Sequence, residues 1–178
     1  MWRAAGAVLW AVTCLTPCSA VAQHEHAASP YAGLESREIK ALSAEEIAQY
    51  RNGEGMGLAL AAELNHYPGP RHTLELAGPL ELTGEQQAAV SGILALMERE
   101  ARRLGQLIVA RERNLDRGFA AGRMDEADLT THTAVIARLQ GELRFVHLRA
   151  HLAVRRLLTR EQVERYDALR GYGTTSPP

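Results

Sequence analysis

The chain has 178 residues and a formal net charge of −1, enough length for one modest core and too little excess charge for a nucleic-acid-binding surface. Both cysteines, Cys14 and Cys18, and both tryptophans, Trp2 and Trp10, lie in the first 22 residues. From Gln23 onward the sequence therefore excludes disulfides, thiol chemistry and cysteine metal sites.

Met1 to Ala22 have the pattern of a cleavable export signal: Arg3, an apolar run over Ala4 to Leu15, a break at Pro17, and the small-residue site Ala20-Val21-Ala22. The run is well short of the roughly 20 residues of a membrane-spanning helix. This predicts a periplasmic, soluble protein that starts at Gln23 and has no membrane insertion after cleavage. Cys18 follows Pro17, a poor context for lipid attachment.

Residues 23–42, opening with "QHEHAASP", read as a flexible arm. If cleavage leaves them near a new amino terminus, His24 and His26 can chelate copper or nickel loosely with Glu25; a polar disordered arm is the simpler reading. Ser43 with Glu46 forms a capping-box pattern that starts a helix. Gly53, Gly55 and Gly57 interrupt it, and "MGLALAAEL", apolar nearly all round, predicts a buried helical segment. "YPGPRH" reads as a turn, with His66 and His72 as surface residues.

Beyond Thr83 the apolar residues become periodic. Val90, Met97 and Leu104 recur every seven positions beside Leu94, Ala101, Ile108 and Leu115. After "RGFAAGRMDE" the stripe restarts at Leu129, Ile136, Leu143, Ala150 and Leu157, accompanied by Leu139, Val146 and Ala153. Helices over 84–117 and 126–157, each about 50 Å long, are matched arms of an antiparallel hairpin. The expected fold is all-α: one domain over 43–172, with shorter N- and C-terminal helices and a disordered tail at 173–178. Phe145, Leu148 and Leu152 form a further apolar face on the second arm, left for the N-terminal helices, a second subunit or a client protein to cover.

Charge is unevenly distributed. Residues 23–97 carry ten acids against four bases, and residues 98–178 carry fifteen arginines against eleven acids. Complementary halves can dock within the chain or across a dimer; alternatively the arginines make a basic face for an acidic or unfolded partner. Arg99, Arg102, Arg103, Arg144, Arg149, Arg155 and Arg156 are the candidates for that face.

The chain writes "LTGEQ" at 82–86 and "LTREQ" at 158–162. In each, threonine and glutamine can form a capping box behind a leucine staple, so the motif starts a helix and sets its entry angle. One copy opens the first arm and the other follows the second, which places both at the same end of an antiparallel hairpin. With these two motifs, the hairpin between them and the export signal, the chain resembles the exported LTxxQ family of Spy and CpxP stress chaperones and the related periplasmic heavy-metal sensors. The resemblance covers about residues 80–172. It implies a usually dimeric, often cradle-shaped helical protein that binds unfolded clients or modulates an envelope stress or metal response. Leu82, Thr83, Gln86, Leu158, Thr159 and Gln162 carry over as structural residues, and no catalytic residue does. The sequence departs from the metal-sensor branch in lacking a membrane anchor and in having just Met56, Met97 and Met124 after the signal segment.

"HLRAHL" places His147 and His151 one helical turn apart, a spacing at which two imidazoles can bind one Cu, Zn, Ni or Co ion. Two ligands do not complete a site, and amphipathic packing beside the core stripe is the simpler role. His132 falls on the stripe as a partly buried histidine. No nucleophile-base arrangement, phosphate-cradling loop or metalloprotease histidine-glutamate spacing is present, and "NGEGMG" has neither a preceding strand nor a lysine, so catalysis is not expected. Two readings follow. The first is a chaperone-like or stress-adaptor protein, homodimeric, holding unfolded or envelope proteins. The second is a histidine-based heavy-metal sensor or buffer.

Overall fold

The computed structural model describes residues 29–173. Among the described residues the architecture is all-α: α1 (Ala44–Asn52), α2 (Leu60–Glu63), α3 (Pro70–Glu75), α4 (Gly84–Ala120), α5 (Glu126–Leu157) and α6 (Arg160–Arg170), with one short 3-10 turn at Leu34–Ser36 and no strand. No described helix is long and apolar enough to cross a membrane. The expected signal segment, the chelating pair His24 and His26, and residues 174–178 lie outside the described residues.

Helices α4 and α5, of 37 and 32 residues, pack against each other as the hairpin. Their seam is the heptad stripe: Met97, Ala101, Leu104 and Ile108 meet Leu139, Leu143, Val146 and Ala150. At the end where α4 begins and α5 finishes, Leu80, Leu82 and Val90 join Val154, Leu158, Val163 and Tyr166 in a second cluster. Gly122, at φ 60°, turns the chain between the arms, and Asp125 caps α5 through its Oδ1, which accepts the Asp128 N–H at 2.8 Å.

The two pentapeptides meet at that same end and form one clasp. Thr83 Oγ1 accepts the Gln86 N–H at 3.1 Å, and Gln86 Oε1 accepts the Thr83 N–H at 3.0 Å. Thr159 and Gln162 repeat this at 3.2 and 3.0 Å. Each carboxamide nitrogen then donates to the other's oxygen, at 2.9 and 3.0 Å, and to a main-chain carbonyl, Leu157 O from Gln86 and Leu80 O from Gln162. Every donor and lone pair of both carboxamides is thereby used, and α6 is tied to the start of α4.

The N-terminal segments cover one side of the hairpin. Ser43 caps α1 in the expected box with Glu46, and Gly53 ends the helix at φ 67°. α1 crosses α4 so closely that the Tyr50 carbonyl lies where a side chain at Gly105 would begin. Arg71 and Arg102 share the Glu98 carboxylate at 2.6 and 2.7 Å, which joins α3 to α4.

Three expectations need correction. The arm expected over 23–42 is packed in its last residues: Ile39 and Leu42 are buried with Ile47 and Val109, and Glu38 and Lys40 pair with Arg113 and Asp116 on α4. Two apolar residues in a polar stretch make no periodicity, yet they suffice to fill a groove. The buried helix expected of "MGLALAAEL" is a single turn with Leu60 and Leu64 more than half exposed. Left-handed backbone at Met56 and Gly57 consumes the first residues of that stretch, and the residue it buries is the charged Glu63. "YPGPRH" is a turn only as far as Gly69; Pro70 then starts α3 at the helix position where its missing N–H costs nothing.

The Tyr50–Gly105 approach predicts opposite outcomes for two glycine-to-alanine changes in α4. Gly105→Ala destabilises by about 1–3 kcal/mol through overpacking, whereas Gly92→Ala, with open space around it, stabilises by up to about 1 kcal/mol. Urea melts measure both; shifts of the same sign would refute the close approach.

Candidate functional site

Two features on opposite sides of the hairpin hold the residues singled out in the sequence. The first is a cavity of about 750 Å³ bounded by the glycine-rich segment after α1, by α3, and by one face of the hairpin, with the end of α6 at its rim. His147 and His151 both line it, since residues four apart share a helix face.

Glu63 organises this cavity. Its side chain is buried, a placement that a carboxylate tolerates only with full hydrogen bonding. Oε1 accepts from the Tyr166 and Tyr172 hydroxyls at 2.6 and 2.9 Å, with Arg170 Nε at 3.6 Å, and Oε2 accepts the Gly69 N–H at 3.1 Å, with His151 Nδ1 at 3.6 Å. Burial, then the bond to Glu63, pushes the Tyr166 hydroxyl far above its usual range, so it stays a donor. His66, on left-handed backbone, places Nδ1 2.7 Å from Oδ2 of the buried Asp167, a second tie between the α2–α3 segment and α6. His66 is exposed, as the sequence suggested, but sequence reading had no role for Glu63; a single carboxylate in an apolar run was the available signal.

The two histidines differ in their hydrogen bonding. His151 Nδ1 donates to the Tyr67 carbonyl at 2.7 Å, which leaves Nε2 with a lone pair; at metal sites the same orientation fixes a ligand's tautomer. A side chain at Gly69 would stand 3.2 Å from this Nε2, so the glycine keeps the approach open. His147 is 3% exposed and its Nε2 has no hydrogen-bond partner, a costly state for a buried polar atom. Among the described residues no three His, Cys, Asp or Glu side chains are arranged to hold a metal ion. Glu63, the nearest carboxylate, is already committed to its donors.

The second feature is a groove between α4 and α5 on the other side. Leu96 lies nine residues, about two and a half turns, before Gly105 and so points away from α1. Leu96, Arg99 and Arg103 of α4 line this groove with Phe145, Val146 and Arg149 of α5. Phe145 is 60% and Leu96 50% exposed. The Arg149 guanidinium stands 5.6 Å from the Phe145 ring centroid, and Arg103 Nε donates to Glu100 at 3.0 Å. Leu152, exposed, continues the face two turns beyond Phe145, while Leu148 is half-buried.

The other candidate arginines do not join the groove. Arg102 Nε donates to the Asn52 carbonyl at the end of α1, so it serves the fold on the opposite face. Arg144 lines a small cavity with Tyr50 and Leu58. Arg155 is half-buried and Arg156 exposed, near the end of α5. Helical phase explains the division, because one stripe of arginines along a helix meets several different surroundings.

Burial, then the neighbouring His151, holds the His147 imidazole below its ordinary 6.5. The unfolded chain therefore takes up a proton first as pH falls, and stability drops from about pH 6.5 downward until the folded group protonates too. Denaturation across pH 7.5 to 4.5 is expected to show this loss in the parent chain and a shallower slope in His147→Leu; equal slopes would refute it. Comparison with protein-family models, curated proteins and solved structures finds no significant match for this chain.

Proposed function

We propose that this chain is an exported, non-catalytic helical-hairpin protein of the LTxxQ type, homodimeric, which holds unfolded or partner proteins on the groove side of its hairpin. The observation that carries this reading is the exposed Leu96–Phe145–Leu152 face edged by Arg99, Arg103 and Arg149. Large apolar side chains grouped on a surface mark an interaction site. The arginines add planar donors and charge that a flexible acidic-apolar segment can use. Each contact is weak, which suits release as well as capture.

The chain from Gln23 onward is expected to suppress light scattering by a reduced, aggregating model client at stoichiometric amounts. Leu96→Ser with Phe145→Ser should raise the amount required by about tenfold, the equivalent of about 1.4 kcal/mol of lost apolar contact. Equal protection by parent and variant would remove the groove from the proposal, and no protection by either would remove the function.

A second reading, transition-metal binding, is favoured by His147 and His151, which both line the cavity on the other face. Calorimetric titration with Cu, Zn, Ni and Co, with mass followed by light scattering, tests it. His147→Ala with His151→Ala should abolish any micromolar or tighter binding, and unchanged affinity would place the metal elsewhere.

A further inference from the structure

The donors around the cavity are unevenly hard. Besides His147 and His151, its wall includes Met97 from the hairpin seam and Met56 from the glycine-rich segment. Met97 is buried in the cluster that also contains Val146 and Ala150, the neighbours of the two histidines on α5. Met56 is half-buried and sits between Gly55 and Gly57 with φ 45°, an uncommon conformation for a residue with a side chain.

We propose that this cavity is a site for a soft monovalent d10 ion, Cu(I) or Ag(I), held by the imidazoles of His147 and His151 and the thioethers of Met97 and Met56, which all line it. The proposal rests on the metal-binding reading above and names its ion. Thioethers select Cu(I) over Zn, Ni and Co, which draw on imidazole and oxygen donors. The oxygen donor that a divalent ion would use is Glu63, and both its oxygens are occupied by Tyr166, Tyr172 and Gly69. A Zn or Ni site would have to break that buried network, whereas a Cu(I) site leaves it whole. None of the four donors is an anion, which suits a single positive charge better than a double one. The Tyr67 carbonyl takes the His151 Nδ1–H, which leaves Nε2 as the ligating atom of that ring.

The test uses the untagged chain from Gln23, titrated anaerobically with Cu(I) against a chromophoric Cu(I) chelator, with Ag(I) and Zn(II) titrated separately by calorimetry. One Cu(I) or Ag(I) per chain is expected, bound more tightly than Zn(II), with a copper–sulfur shell in X-ray absorption. Met56→Leu with Met97→Leu conserves volume and should weaken Cu(I) by at least about tenfold, remove the sulfur shell and leave Zn(II) unchanged. Met56→Leu alone, a change in a half-buried loop, should give a smaller loss and serves if the double variant fails to fold. Cu(I) affinity that survives the methionine changes but falls with His147→Ala and His151→Ala would overturn the soft-donor site and keep the histidine site. Tighter Zn(II) than Cu(I) binding would also overturn it, and no metal binding by the parent chain would end both readings.

Discussion

The seam between α4 and α5 is the constraint on which everything else depends. A helix of 37 residues, about 55 Å long, has no core of its own and stays ordered only where a stripe is buried. The heptad stripe buries one flank of each arm and leaves the others to be settled separately. On one side, α1 and the α2–α3 segment settle them, using Gly105 for closeness and Glu98 for two arginines. On the other, Leu96, Phe145 and Leu152 remain exposed. The hairpin thus has a closed face that holds a polar cavity and an open face that holds an apolar-basic groove.

The cavity exists because Glu63 is buried. A carboxylate withdrawn from water needs donors from whatever surrounds it, and here they come from Gly69 at the start of α3, from Tyr166 of α6 and from Tyr172 just beyond that helix. Elements distant in sequence are fastened at one point, while Gly69 keeps space beside the His151 imidazole. Removing one partner would leave charge or hydroxyl unpaired in a place with little water, which makes the network cooperative.

Much of the architecture was legible because it is periodic. A seven-residue repeat with Gly118 and Gly122 at its break identifies two helices and a turn, and Leu-Thr-x-x-Gln read as a cap predicts where α4 and α6 begin. The end of α4 ran three residues past the expected 117, since propensity alone does not mark a terminus. Short elements were less legible. α3 hid behind Pro70, and the packing of Ile39 and Leu42 rests on a groove formed by residues seventy positions away. The site was half legible. A four-residue spacing placed His147 and His151 on one helix face, but Glu63, His66, Tyr166, Tyr172 and Asp167 came together only through the fold. Among the arginines, charge was visible and phase was not, so Arg99, Arg103 and Arg149 reached the groove while Arg102 became part of the α1 contact.

The paired glutamines that join the two ends of the hairpin carry no charge. An ion pair in their place would weaken with added salt and come apart when the medium turned acidic. Carboxamides neither titrate in that range nor draw a counterion atmosphere, so the Gln86–Gln162 joint holds α6 against α4 equally in dilute, saline or acidic surroundings. Whatever conditions alter the histidine-lined face, this joint carries no charge for them to act on.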